Sequence, residues 1–231
     1  RLISTRSLKP VDFGDNIPIP DYAILSHTWG SGEVTFQELD QHRVNVNALI
    51  VAKPGYRKIL YACREARRRN LGYLWVDTCC INQEDKGDVH RNIRSMYAFY
   101  QNSSICYAYL SDRDSYNLSE SSITTSRWFS RGWTIQELLA PPEVVFFDRS
   151  WRPLGTRSGR TAEISDITGI PEAILEGQSC IHQVGVEERM SWAVTRTTSR
   201  PQDQAYCLIG ILGVSLEPNY EEDVNSAFFR L

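Results

Sequence analysis

The stretch SRWFSRGWTIQELLAPPE, residues 126–143, carries a carboxylate among aromatic and aliphatic side chains. Read as one helix over about 126–140, it places Phe129, Trp133, Gln136, Glu137 and Ala140 on one face, because residues three and four apart are neighbours on a helix surface. A carboxylate in such a stripe has two physical options. It pairs with a cation, for which Arg131, Arg196 and Arg200 are the candidates, or desolvation raises its proton affinity. The first makes Glu137 a structural tie; the second makes it a group able to hold or move a proton near neutral pH.

Two further polar residues stand where apolar runs end. YAILSHTWG (22–30) reads as a buried strand stopping at Gly30 and delivering Ser26, His27 and Trp29 to its carboxyl end. LGYLWVDTCCINQ (71–83) reads as a second, nearly continuous strand closed by Asp77. An aspartate there either caps a loop or meets a ligand, and His27 is either a hydrogen-bonded strand-end histidine or a catalytic one. Ser26, His27 and Asp77 do not form a nucleophile triad, since adjacent strand residues face opposite ways and no G-x-S-x-G elbow is present. G-x-x-x-x-G-K-[ST] and G-x-G-x-x-G are also absent, as are C-x-x-C and H-E-x-x-H. The histidines are scattered, and Cys79 and Cys80 would point apart on a strand. No metal is expected.

The elements that must hold these residues alternate. PGYRKILYACREARRRN has its apolar residues at helical spacing behind Pro54, and HRNIRSMYAFYQNS (90–103) repeats that period. SICYAYLSD (104–112) and EVVFFD (143–148) read as strands, and the polar RDSYNLSESSITTS between them and the 126–140 helix reads as a loop. Strand alternating with helix implies a mainly parallel sheet flanked by helices, with ligands at the carboxyl ends of the strands. From about Trp151 onward the pattern turns helical in TAEISDITG, PEAILEG, VEERMSWAVTR and PQDQAYCLIGILGV. The expectation is a single domain over 1–231, with an α/β core over about 20–150 and a mostly helical part over about 151–231.

Composition narrows the class. The 231 residues are 42% hydrophobic and 23% charged, as in globular chains, with a formal charge of −3. There is no global basic footprint, so REARRRN (64–70) is read as the solvated face and last turn of a helix rather than a nucleic-acid surface. No apolar run approaches the roughly 20 residues that span a bilayer. The opening RLISTRSLKP lacks the apolar core of a secretory signal. Six cysteines lying mostly inside apolar segments suggest a reduced, intracellular, cytoplasmic protein, in which the N-x-S triplets at Asn102 and Asn117 carry no meaning.

YAILSHTWG, YLWVDTCCINQED, SRGWTIQELLAP and SWAVTRTTSRPQDQAYCLIGIL, followed by YEEDVNSAFFRL, resemble in order the blocks of the HET domain, the heterokaryon-incompatibility domain of filamentous fungi. The resemblance implies a fungal intracellular domain that triggers regulated cell death when incompatible cells fuse, often as the effector end of a nucleotide-binding receptor. HET domains are in turn remotely similar to TIR domains, whose sheet is flavodoxin-like. In NAD-cleaving TIR domains a tryptophan is followed four residues later by the reacting glutamate and a leucine, on the helix after the third strand. Trp133, Glu137 and Leu138 stand at that spacing here. The chain departs from TIR domains in its long helical C-terminal part.

By that likeness, Glu137, Asp77 and His27 are the candidate catalytic residues. Ser26, Trp29, Trp133, Arg196 and Arg200 would bind the nucleotide, the arginines at its diphosphate and the tryptophans stacking on its rings; Trp133 reads more readily as core than as stacking surface. NAD is the implied substrate rather than a bound cofactor. Activity would depend on self-association or on a receptor partner. Two alternatives stay open: a signalling module that recruits partners without chemistry, and a nucleotide-binding module without turnover.

Overall fold

The computed structural model describes residues 1–14, 17–42, 48–117 and 122–231. Residues 118–121 of the polar stretch, including Ser119 of the Asn117 triplet, lie outside the described residues. The run YAILSH forms β3 (Tyr22–His27), with every residue buried. This continuous burial is what a strand covered on both faces requires. Around it lie β1 (Leu2–Ser4), β2 (Pro10–Val11), β4 (Tyr73–Trp75), β5 (Ile105–Tyr109), β6 (Val144–Phe147) and β7 (Pro153–Thr156). They form one sheet in the order β2-β1-β4-β3-β5-β6-β7.

The central four strands are parallel, with Ala23 of β3 between Leu74 and Ile105 and His27 opposite Tyr109. The outer strands β2, β1 and β7 run antiparallel to their inner neighbours. The fold is therefore α/β, with a mixed sheet that is parallel at its centre and flanked by helices. From β3 the chain moves to β4 on one side and then to β5 on the other. Such a reversal opens a crevice at the carboxyl ends of the strands.

The helices are α1 (Phe36–His42), α2 (Ala48–Val51), α3 (Pro54–Arg68), α4 (Asp77–Cys80), α5 (Lys86–Gln101), α6 (Thr134–Leu139), α7 (Thr161–Thr168), α8 (Glu172–Leu175), α9 (Val186–Ser191), α10 (Asp203–Tyr206), α11 (Ile209–Leu212) and α12 (Val224–Arg230). The arginine run closes α3, where Arg68 pairs with Glu65 and Arg69 reaches Glu143. Gly169, left-handed at φ 69°, ends α7 as a C-terminal glycine should. One hydrophobic core contains Leu25 and Tyr107 of the sheet together with Trp192, Tyr206 and Ile211 of the C-terminal part.

Three expectations are corrected. The apolar run 71–83 is not one strand: β4 stops at Trp75, and α4 starts at Asp77, its first turn closed by the Cys80 N–H on the Val76 carbonyl at 2.8 Å. Unbroken apolarity does not separate a strand from a buried helical turn, so Cys79 and Cys80 sit on a helix rather than on opposite faces of a strand. The helix expected over 126–140 is a 3₁₀ turn (Arg127–Ser130), a break and then α6. Tertiary pairing causes the break, because the Gly132 N–H donates to the Thr197 carbonyl (2.8 Å) and the Thr197 N–H to that of Ser130 (2.7 Å). A Cβ on Gly132 would lie 2.4 Å from Thr198 Cγ2, so this close approach needs glycine. Finally, β1 lies in a segment with no strand signal, and β7 interrupts what read as helix after Trp151.

Candidate functional site

At the carboxyl end of β3, Ser26 is fully buried and faces α6. Its hydroxyl donates to Glu137 Oε2 and accepts the indole N–H of Trp128 at 2.7 Å. An indole N–H can only donate. Trp128 therefore occupies an acceptor position on Ser26 and leaves the hydroxyl proton for Glu137. The Tyr100 hydroxyl of α5 donates to the Leu25 carbonyl at 3.4 Å and is near enough to Glu137 to lower its pKa.

The short α6 cannot hold its own geometry, because six residues lie far below the length at which an isolated helix is stable. Side chains from elsewhere hold it. Arg157, just after β7, donates to the carbonyls of Leu138 (2.6 Å), Pro141 (3.0 Å) and Pro142 (3.1 Å). The Gln136 amide donates to the Cys207 carbonyl at 2.6 Å. Arg196 reaches the Arg131 carbonyl (3.1 Å) and the Thr134 hydroxyl (3.0 Å).

None of the three arginines expected to pair with Glu137 is within ion-pair distance of it among the described residues. Arg196 is spent on α6 itself, burial lowering its pKa to about 10. The Arg131 guanidinium donates to Ser199 Oγ, and that of Arg200 lies 4.4 Å above the Tyr220 ring. Glu137, 8% exposed, is thus a buried carboxyl without a bound cation. Desolvation dominates and pushes its pKa up to about 8; the negative charge of Asp77 adds to the rise, and the hydroxyls of Ser26 and Tyr100, with the more distant Arg131, oppose it.

His27 faces a different set of charges. Its Nε2 is 3.6 Å from Glu33 Oε2 and 3.9 Å from Asp77 Oδ1. Glu33 is held by Lys58 at 2.5 Å and by the Gly30 N–H at 2.8 Å. Burial would raise the Glu33 pKa, but His27 and Lys58 outweigh it and bring it to about 2. Gly55, at the start of α3, lets this loop approach: a Cβ there would be 2.7 Å from Glu33 Cα. Asp77, the first residue of α4, accepts the Trp29 indole N–H (2.7 Å) and the Thr78 N–H (2.7 Å), and so pins an exposed tryptophan at the mouth of the site.

These groups surround one cavity of about 190 Å³. Glu137, Asp77, His27, Trp29, Trp133 and Arg200 all line it, with Ile93 and Met96 of α5 supplying apolar wall. Two sequence candidates do not: Ser26 lies beneath Glu137 as its hydrogen-bond donor, and Arg196 is turned toward α6. The volume exceeds the roughly 150 Å³ that accommodates benzene, enough for a single aromatic ring. Residues that sequence reasoning did not place in the site are Tyr100, Trp128 and Tyr220. Tyr100 was visible only as part of the α5 apolar stripe; a buried tyrosine hydroxyl that needs a partner was the available signal. No cluster of metal-ligating side chains occurs among the described residues, and no helix there is long and apolar enough to cross a membrane.

The model of the heterokaryon incompatibility protein (HET) family matches residues 22–122. The chain is also 39% identical over 222 residues to the vegetative incompatibility protein HET-E-1 of Podospora anserina, an alignment covering 92% of this chain and 16% of that protein. The chain belongs to the HET family. The family match contains Ser26, His27, Asp77 and Tyr100 and ends before Glu137, so the HET domain's cavity is completed by residues beyond it. The chain spans about a sixth of the length of the relative it matches. No solved structure matches it.

Proposed function

We propose that this HET domain is the effector portion of a fungal incompatibility protein and that it hydrolyses the bond between nicotinamide and ribose in NAD, with Glu137 as the reacting carboxyl group. The observation that carries the reading is a buried, cation-free glutamate with raised proton affinity on the wall of an aromatic-lined cavity at the carboxyl edge of a parallel sheet. The parallel order β4-β3-β5-β6 supports the TIR likeness, since it is the flavodoxin-like order of a first strand between the second and third.

The chemistry is that of a glycosidic bond with an already cationic leaving group. The C–N bond breaks and its electron pair departs with neutral nicotinamide, leaving positive charge on the ribose. Glu137 as carboxylate stabilises that charge. A water then adds to the ribose carbon and gives its proton to Glu137. A carboxylate with a pKa near 8 is a stronger base than an ordinary one, which suits this step at neutral pH. The pyridinium charge of arriving substrate favours ionisation of a carboxyl group that would otherwise hold its proton. All four of Trp29, Trp133, His27 and Asp77 line the cavity; in this reading the tryptophans contact the rings, and His27 and Asp77 meet ribose hydroxyls.

Cytoplasmic cell death triggered by assembly is the biological output this reading gives. Exposed Val186, Val194 and Phe229 offer apolar surface for a second copy or a receptor partner. The test is chromatographic detection of nicotinamide released from NAD by wild type and Glu137→Gln, each free and fused to an oligomer-forming tag. Release by the assembled wild type and not by the folded variant is expected. No release from the assembled wild type would overturn the hydrolase reading in favour of a scaffold that recruits partners.

A further inference from the structure

We infer that Arg131 and Arg200, with the Ser199 hydroxyl between them, form an anion subsite on the wall of this cavity that takes a phosphate or diphosphate group. Both arginines line the cavity. Neither has a carboxylate within ion-pair distance among the described residues, although Arg–carboxylate pairs occur elsewhere in the chain, as at Arg69–Glu143 (3.0 Å) and Arg149–Asp114 (2.6 Å). The Arg131 Nη1 and Nη2 both fall on one neutral oxygen, Ser199 Oγ, at 3.1 Å. A guanidinium carries five N–H donors, so most of its capacity remains for an incoming acceptor.

Asp203, the carboxyl group that interacts with both arginines, makes no ion pair with either. Asp203 also lines the cavity; burial raises its pKa, the charges of Arg200 and Arg131 oppose that rise, and it accepts the Tyr220 hydroxyl at 2.6 Å. The two cations are also pre-positioned. Arg131 lies in the segment that pairs with Thr197, and the Arg200 guanidinium is stacked on Tyr220. Two fixed planar guanidiniums beside a hydroxyl match the forked geometry of phosphate oxygens. The cavity lining thus carries three carboxyl groups (Glu137, Asp77 and Asp203) and two guanidiniums that make no ion pair among the described residues. Its ligand class is a phosphorylated molecule rather than a free base or nucleoside.

The inference rests on the reading of the cavity as a nucleotide site but not on turnover. It is tested by calorimetry with inorganic pyrophosphate and with ADP-ribose, neither of which contains a nicotinamide bond. Wild type, Arg131→Gln, Arg200→Gln and a surface control, Arg68→Gln on α3, are compared, with thermal melts to verify folding. The expected result is binding of both probes by wild type and by Arg68→Gln, weakened roughly tenfold or more in each cavity variant. ADP-ribose affinity in wild type should also fall as salt rises. Absence of binding to wild type, or unchanged affinity in both cavity variants, would overturn it. Because nicotinamide release is measured separately, a binding-competent but inactive protein would remove the hydrolase reading and leave the subsite standing.

Discussion

Replacing Glu137 by glutamine should make the protein more stable at neutral and mildly alkaline pH while removing any activity that depends on the carboxylate. The carboxyl pKa lies near 8 in the folded chain against an ordinary value of 4.5. A folded pKa above the unfolded one means that the native state holds the proton more tightly. The stabilisation from that proton is fully present below about pH 4.5 and is lost as pH rises through about 8. At about 1.4 kcal/mol per pH unit, the loss is ~3 kcal/mol at pH 7 and ~4 kcal/mol at pH 8, levelling off near ~5 kcal/mol above that. Glutamine keeps the shape and an oxygen able to accept from Ser26, but cannot ionise. Urea denaturation at half-unit intervals from pH 5 to 9 measures the effect. Wild type should lose stability from pH 5 to about 8 and level off above it, and the variant should have a much flatter profile, the two diverging up to about pH 8. If Glu137→Gln were less stable than wild type at pH 8 and kept the same pH slope, the assignment of a raised proton affinity to this carboxyl would be refuted.

Other perturbations follow from the same contacts. Trp128→Phe leaves the Ser26 hydroxyl free to rotate and removes a buried hydrogen bond, so a destabilisation of about 1 kcal/mol is expected, with an altered Glu137 titration in carboxyl-labelled NMR spectra. An unchanged titration would show that the indole does not orient Ser26. Arg157→Met withdraws the donor from three carbonyls at the end of α6, two of the contacts buried, and should cost about 3 kcal/mol or more; a melting temperature equal to wild type would contradict it. Gly132→Ala brings a Cβ against Thr198 and should destabilise by about 1–3 kcal/mol, whereas Gly185→Ala, with open space around its Cβ, should not clash. At the acid end, Glu33 has a lowered pKa, so its stabilisation is present above about pH 4.5 and is lost as pH falls toward 2; Glu33→Gln should be less stable than wild type at pH 6 and converge on it in strong acid.

The parallel centre of the sheet was legible because β3, β5 and β6 are short apolar runs separated by helices with clear periodicity, and Glu137 stood out because its stripe is otherwise mostly apolar. What sequence did not disclose came from tertiary pairing. The break between Ser130 and Gly132 depends on Thr197, some 65 positions away, and no local signal in SRWFSRGW announces it. Likewise Asp77 was visible as a polar residue closing an apolar run, but an apolar run alone could not show that the chain turns into α4 there. The arginines were recognised as possible partners of Glu137, yet their partners in the fold are carbonyls, a serine hydroxyl and a tyrosine ring, which residue type does not specify. Ser26 was visible as a strand-end hydroxyl; its place between an indole donor and a carboxyl acceptor is a property of three elements meeting.

That meeting bears on what the C-terminal part contributes. A six-residue helix carrying a cation-free carboxyl group has little intrinsic stability, and the groups that anchor it lie at 157, 196 and 207, all after the parallel sheet is complete. The same part supplies Ser199, Arg200 and Tyr220 to the cavity. Sheet and helical part are therefore not a core with an appendage. The sheet presents Ser26 and His27 at one edge, and the segments after Trp151 hold Glu137 above them against the tendency of a buried carboxyl to move toward water. Arginine is suited to that task because its side chain can satisfy several carbonyls at once while remaining charged. The chain thus uses Arg157 and Arg196 to fix the helix and leaves Arg131 and Arg200 in the cavity, neither in an ion pair among the described residues.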